Sequence, residues 1–304
     1  MPAWTRGFEM SSAAIRSTMP VYRPTPIWRL LASNRLAMVG LAFVLLWTLG
    51  GLLVPLIWQF SPTETGVGPL LDTPSLQHPF GTDNFGRDIF ARVFAGARIS
   101  LWMGLISVSV SLLIGVPLGA IAGYFQGVTG GIIMRVMDAI LAFPSLVLAM
   151  AIAAALGPGM SSAMIAVGIV GIPEFARIMY SQTVSLSQRP FVEAGHAIGL
   201  KDRQILMRHV LPNAMSPIAV RATLGMGYAI LTAASLSFIG LGAKPPSPEW
   251  GVMIADARGY IISGEWWLST FPGIAIATSI LGFNLFGDGL RDVLDPRLRT
   301  TVVK

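Results

Sequence analysis

Apolar residues gather into six runs along the chain, at 36–58, 99–124, 132–156, 163–180, 218–241 and 268–286, with polar residues between them. A helix crosses the hydrocarbon core of a bilayer with about 20 mostly apolar residues, and each run is close to that length. The pattern predicts an all-α integral membrane protein with six transmembrane helices. Proline recurs inside or beside the runs, at Pro55, Pro117, Pro144, Pro173, Pro217 and Pro272. There it frees a carbonyl and can kink a helix.

The polar stretch after the first run changes character halfway. Pro62, Gly66, Gly68, Pro69, Pro74 and Pro79 make its first half irregular. In its second half Ile89, Phe90, Val93, Phe94 and Ala97 fall on one helical face. Asp88 and Arg92 stand four apart beside that face. The spacing predicts a short amphipathic helix that packs on the bundle and leads into the second run.

The polar stretch at 181–217 is the most structured of the inter-run segments. Pro190 suits the first turn of a helix, where its missing N–H would be unpaired anyway. Phe191, Ala194 and Ile198 share a face, and Gly199 can take the left-handed conformation that closes the helix. Asp202 can cap a second short helix carrying Ile205, Leu206, His209 and Val210, which Pro212 stops. Small residues, Ala194, Gly195 and Ala197, leave little bulk on the first helix. A helix lying on lipid is usually rich in Lys or Arg on its polar face, and none lies between Pro190 and Leu200. The pattern therefore favours a helix that docks in a groove of another protein, with Glu193 meeting a basic or hydrogen-bonding partner.

Charge sets an orientation. Of 304 residues 12 % are charged, about half the share usual in soluble domains, and mean hydropathy is +0.67. The segment before the first run holds Arg6, Arg16, Arg23, Arg29 and Arg35 against Glu9. Basic flanks stay in the cytoplasm, so six crossings place both termini inside. The segments 59–98 and 242–267 then lie outside. They hold the bases Arg87, Arg92, Arg98, Lys244 and Arg258 and the acids Glu64, Asp72, Asp83, Asp88, Glu249, Asp256 and Glu265. Acids exceed bases there, while the remainder of a chain of net charge +6 is strongly basic. The resulting division is a cytoplasmic segment 1–35, a first span 36–58, an outside segment 59–98, a five-helix core 99–288 with a cytoplasmic loop 181–217, and a tail 289–304. No short apolar core with a cleavage site opens the chain, so the first span is read as retained.

Several chemistries find no support. The basic residues are dispersed beside apolar runs, without the patch nucleic-acid binding requires. Cysteine is absent and the histidines are only His78, His196 and His209, which leaves no thiolate or histidine cluster for a metal. Arg135 with Asp138, and Glu174 with Arg177, stand three apart and are expected to pair within their helices. A proton-coupled carrier or channel working alone would need more acids deep in the spans, and a membrane-embedded enzyme a cluster of catalytic groups facing a cavity. No Gly-x-x-x-x-Gly-Lys-Ser/Thr loop occurs.

The loop resembles the Glu-Ala-Ala loop of bacterial ABC importer permeases, which runs Glu-Ala-Ala, three residues, Gly, nine residues, Ile-x-Leu-Pro. Glu193, Ala194, Gly199, Leu211 and Pro212 fall in register. Gly195 replaces the second alanine, and His209 stands where the motif has isoleucine. A second stretch, His78-Pro79-Phe80-Gly81-Thr82-Asp83 followed by Gly86-Arg87-Asp88-Ile89-Phe90-Ala91-Arg92-Val93, is similar to the signature of the C-type permeases for dipeptides, oligopeptides and nickel. Further likeness lies at 235–242 with 245–251, and at 283–292 with Leu294-Asp295-Pro296. The four motifs keep the family's order and cover roughly 27–299.

The resemblance implies a type I ABC importer permease fold in a bacterial cytoplasmic (inner) membrane, as a non-catalytic subunit. It implies a B-type permease partner, two ABC ATPase subunits and a periplasmic or lipid-anchored substrate-binding protein, besides membrane lipid and with no nucleic acid. ATP and Mg would sit on the ATPases, and this chain would bind no cofactor. Glu193, Ala194, Gly195, Gly199, Leu211 and Pro212 would form the ATPase contact. Gly81, Asp83, Gly86, Arg87 and Asp88 would mark the periplasmic signature. The implied cargo is a peptide, with a dipeptide first and oligopeptide, glutathione, D,D-dipeptide, opine or nickel as alternatives.

Overall fold

A computed structural model describes residues 27–294. The expectations resting on Arg6, Glu9, Arg16 and Arg23, and on Asp295 and Pro296, lie outside the described residues. The helices are α1 (Ile27–Ser33), α2 (Arg35–Ile57), α3 (Ile89–Phe125), α4 (Gly127–Leu141), α5 (Ser145–Leu156), α6 (Met160–Ser187), α7 (Pro190–Ala197), α8 (Asp202–Ile205), α9 (Leu211–Phe238), α10 (Trp250–Ala257) and α11 (Trp267–Leu294). Among the described residues the one extended pairing is a single bridge between Thr82 and Asp88.

Among the described residues five helical stretches are long and apolar enough to cross a membrane: α2, α3, α6, the stretch from α8 through α9, and α11. A sixth crossing is split. α4 and α5 together cover the expected run at 132–156 and begin five residues before it, but they meet at a bend of 93°. Pro144, at the N-cap of α5, causes the break. It has no N–H to give and keeps the preceding residue out of the helical region.

The second crossing differs from expectation at its start. No separate surface helix precedes it, because α3 runs unbroken for 37 residues from Ile89. At 1.5 Å per residue that is about 55 Å, well beyond the hydrocarbon core of about 30 Å, so α3 protrudes. Ile89, Val93 and Ala97 are buried as the face predicted. Asp88 and Arg92 do not pair with each other; each is spent on other partners, described below.

Small residues set the closest helix approach. Ser107, Ser111, Gly115, Gly119 and Gly123 recur every fourth residue on α3 and face α6. Ser107 Oγ donates to Met164 O at 3.0 Å and Ser111 Oγ to Gly168 O at 2.6 Å. A Cβ at Gly115 would meet Ile172 O at 2.6 Å, and one at Gly123 would meet Tyr180 O at 2.7 Å. Without a hydrophobic drive between helices in lipid, such close backbone packing holds spans together. Gly40 of α2 lies against Phe286 of α11 in the same manner. The outer side of α2 keeps Leu45, Leu49, Leu52, Leu53 and Leu56 exposed, as a lipid-facing helix requires.

The predicted pairs within helices are replaced by pairs between them. Arg177 of α6 reaches Asp138 of α4 at 2.5 Å, and Arg221 of α9 pairs with Glu174 of α6. Spacing along one helix made the local pairs available, but neighbouring helices brought better-placed counter-charges.

Candidate functional site

The two polar segments singled out in the sequence lie at opposite ends of the bundle. At one end, α7 begins with Pro190 at its first position and places Glu193 in its first turn. Gly199 has φ +82°. Leu200 N–H bonds Gly195 O at 3.0 Å and Gly199 N–H bonds His196 O at 2.9 Å, the paired closure that a left-handed glycine permits. Val192 and Gly195 are buried, with Val192 in the main core alongside Ile205 and Val210. The opposite side is open: Phe191 is 41 % and Ile198 77 % exposed, and Glu193 and Ala194 are exposed too. The shared face of Phe191, Ala194 and Ile198 therefore points away from the bundle on a helix fixed from beneath.

Two local expectations change here. The residue capping α8 is Lys201 rather than Asp202, and its N–H is taken by Gln204 Oε1 at 3.0 Å. Asp202 instead accepts the Tyr124 hydroxyl at 3.0 Å, tying the loop to the end of α3. Pro212 does not stop the helix. From Leu206 to Val210 the backbone widens into a π-helix, with Leu211 N–H reaching Leu206 O, and the helix then continues to Phe238. A proline ring crowds the carbonyl four residues back and offers it no donor. The wider π turn removes both demands, so 37 residues from Asp202 to Phe238 run as one rod.

The two departures from the loop motif have simple settings. A Cβ at Gly195 would come within 3.3 Å of Ile205, so glycine relieves a tight contact. His209 lies exposed on the π stretch. Leu211 is half-buried, and Pro212 is exposed beside it.

At the other end, residues 58–88 fold into a polar knot. Asp88, fully buried, caps α3 by accepting from Ala91 N–H at 2.8 Å. It also accepts Trp58 Nε1–H at 3.0 Å and meets His78 Nδ1 at 2.9 Å. Asp83 takes Arg87 Nε–H at 2.6 Å and the N–H groups of Phe85 and Arg87. Arg92 donates to Pro62 O at 3.1 Å and lies 3.7 Å from Asp83. Gly81 and Gly86 have positive φ, and a Cβ on either would strike the backbone at Asp72 or Gly68. The signature residues Gly81, Asp83, Gly86, Arg87 and Asp88 thus meet each other inside the knot rather than facing outward.

The knot is roofed by the segment after α9. Trp250 donates its indole N–H to Val93 O at 2.9 Å, and Trp267 to Thr82 O at 3.2 Å. Glu249 caps α10 and is buried against Ser100. Burial pushes its carboxyl up from the ordinary range, against the pull of the N–H groups of Gly251 and Val252 and the hydroxyls of Ser237 and Ser100. Asp256 is likewise pushed up by burial, while Arg92 and Arg87 draw it back. Among the described residues no three His, Cys, Asp or Glu side chains gather as metal ligands would.

Residues 115–300 match the family model described as "Binding-protein-dependent transport system inner membrane component", which takes in the loop and the rod. The chain belongs to this family. Residues 26–79 match a second model, the N-terminal transmembrane domain of oligopeptide transport permease C. As a C-type permease of this family, the chain is a multi-pass inner-membrane protein. It is 47 % identical to the dipeptide transport system permease protein of Alkalihalophilus pseudofirmus, over 89 % of this chain and 88 % of that one. It is 43 % identical to the di/tripeptide transport system permease protein of Pseudomonas aeruginosa, over 91 % and 94 %. It is 41 % identical to the glutathione transport system permease protein of Escherichia coli O157:H7, over 97 % and 99 %. The fold is that of the inward-facing MetNI methionine ABC transporter, with a TM-score of 0.54 over 67 % of this chain and 96 % of that one, at 16 % identity.

The small-residue stripe on α3 is a further signal in the sequence itself. Gly115, Gly119 and Gly123 repeat at four-residue intervals within an apolar run, which marks a helix-packing face in membranes.

Proposed function

We propose that this chain is the C-type permease subunit of an ATP-driven peptide importer. It pairs with a homologous B-type permease, and the translocation pathway runs between the two. Its α7 and the Gly199 turn dock in a groove of one of two ATPase subunits, which hold ATP and Mg. A periplasmic or lipid-anchored binding protein delivers cargo at the knot end. The observation that carries this reading is the open face of Phe191, Ala194 and Ile198, with Glu193, on a helix fixed by a buried underside. An apolar face on a short, rigid, outward helix suits a groove of a second protein.

The cargo assigned first is a dipeptide, as in the names of two of the relatives above. Oligopeptide, glutathione, D,D-dipeptide, opine and nickel are the alternatives. The test is reconstitution of this chain with its partner permease, ATPases and binding protein in liposomes. Labelled dipeptide should accumulate with ATP on the ATPase side and fail to accumulate when this chain is omitted. Accumulation by this chain alone would replace the reading with a stand-alone carrier.

A further inference from the structure

Asp138, Glu174, Arg177 and Arg221 lie within helices of the crossing bundle, and packing leaves their side chains open. Exposure is 56 % and 53 % for Asp138 and Arg177, and 43 % and 25 % for Glu174 and Arg221. Beside them the exposed Tyr228 hydroxyl donates to Ser145 Oγ at 2.6 Å. Charge facing hydrocarbon is costly, so intramembrane charges turn toward other helices or toward water. These residues come from α4, α5, α6 and α9 and include the bend between α4 and α5. Broken helices at membrane depth are tolerated where they line a cavity.

Two cavities flank this place. One, of 320 Å³, lies at the bend and is lined by Ser145, Gly171, Glu174 and Tyr228, with Ile140 and Phe143 among its apolar walls. The other, of 740 Å³, opens toward the loop end and is lined by Arg221 and Arg291 with Asn213 and Ser216. Glu174 belongs to the first and Arg221 to the second, so their ion pair stands between the two. The helix ends at the bend carry opposite partial charges that offset one another. Glu174 therefore sets the sign of the first cavity, and two arginines set that of the second.

We propose that Glu174 and Arg221 form an exchangeable ion pair in the pathway, where a zwitterionic cargo passes with its ammonium on Glu174 and its carboxylate on Arg221. The proposal rests on the peptide-importer reading, which supplies a cargo with both groups. A partly exposed ion pair is weakly held, so exchanging one pair for two with the cargo leaves no charge stranded. A cargo bearing only a cation would leave Arg221 uncompensated, and one bearing only an anion would strand Glu174. The site thus selects for a free ammonium and a free carboxylate on one molecule.

The assembled importer in liposomes provides the test. Glu174→Gln and Arg221→Gln should each lower dipeptide uptake per ATP hydrolysed by about tenfold or more, and Glu174→Asp should keep most of it. The double variant Glu174→Gln/Arg221→Gln separates this role from helix packing. Removing both charges relieves a purely structural pair, so recovery of wild-type uptake in the double variant would overturn the proposal, as would normal uptake in both single variants. The chain has no cysteine, which allows a second measurement should the charge variants fail to assemble. Ser145→Cys should react with a charged, membrane-impermeant thiol reagent, more slowly during dipeptide turnover, while Leu113→Cys, at an exposed apolar position within α3, should not. An unreactive Ser145→Cys would sink the idea. If the wild-type importer accumulates no peptide, the functional reading fails instead, and the thiol result still reports whether this face is wet.

Discussion

Asp88 joins three segments through one carboxylate: the end of α2 through Trp58, the knot through His78, and the start of α3 through its cap. Asp88→Ala would leave two buried polar groups, His78 Nδ1 and the Ala91 N–H, and the half-buried Trp58 indole N–H without this partner. The expected loss is about 3 kcal/mol or more, read as a lowered Tm of the purified permease. Glu249 makes a different prediction. Its folded carboxyl is raised by burial, so the folded state holds the proton more tightly than the unfolded chain. Stability should therefore fall as pH climbs from the ordinary carboxylate range through the raised value. Tm of the wild type should decline across that window, and Glu249→Gln should flatten the decline. An equal decline in both would remove Glu249 as the cause. Sequence spacing made Arg135, Asp138, Glu174 and Arg177 visible as charges needing partners. It could not show the partners, because Asp138 and Glu174 are answered from other helices.

Elements were legible where a single periodicity ruled them. The apolar runs gave α2 to within a residue at each end and the centres of α6, α9 and α11, which extend up to eight residues beyond their runs, and Pro190 with Gly199 bounded α7. Pro144 and Pro212 show what was not legible. Both are prolines within a helical pattern, yet one breaks its span at 93° and the other is absorbed by a π turn. Which outcome occurs depends on the register of the backbone around the ring, a tertiary matter that residue identity does not fix. On the outward face of α7, Glu193→Trp should leave the helix and its buried side intact while blocking the docking groove. The expected result is ATP hydrolysis uncoupled from uptake, or loss of ATPases on co-purification; normal coupled uptake would count against docking. Gly199→Trp should do the same and also strain the turn, since φ there is +82°. On α3, Gly119→Leu should drive α3 and α6 apart at about 1–3 kcal/mol or more, visible as lowered Tm or failed insertion.

For the whole molecule, the helix count and the charge asymmetry bear on one question, which side each end occupies. Five unbroken crossings and one bent crossing place both ends of the described chain on the loop side. A reporter enzyme active only in the periplasm should stay silent when fused after Lys304, and activity would overturn the orientation. The 37-residue rod from Asp202 to Phe238 has a mechanical consequence. At about 55 Å it is a lever longer than the membrane is thick, gripped at its loop end by Ile205 and Val210 in the bundle core. Arg221 sits near its midpoint, so a push on α7 that tilted the rod would shift this guanidinium by roughly half the travel of the end. The stroke that an ATPase would impart outside the bilayer thus arrives inside it as a change in the distance between one arginine and one glutamate.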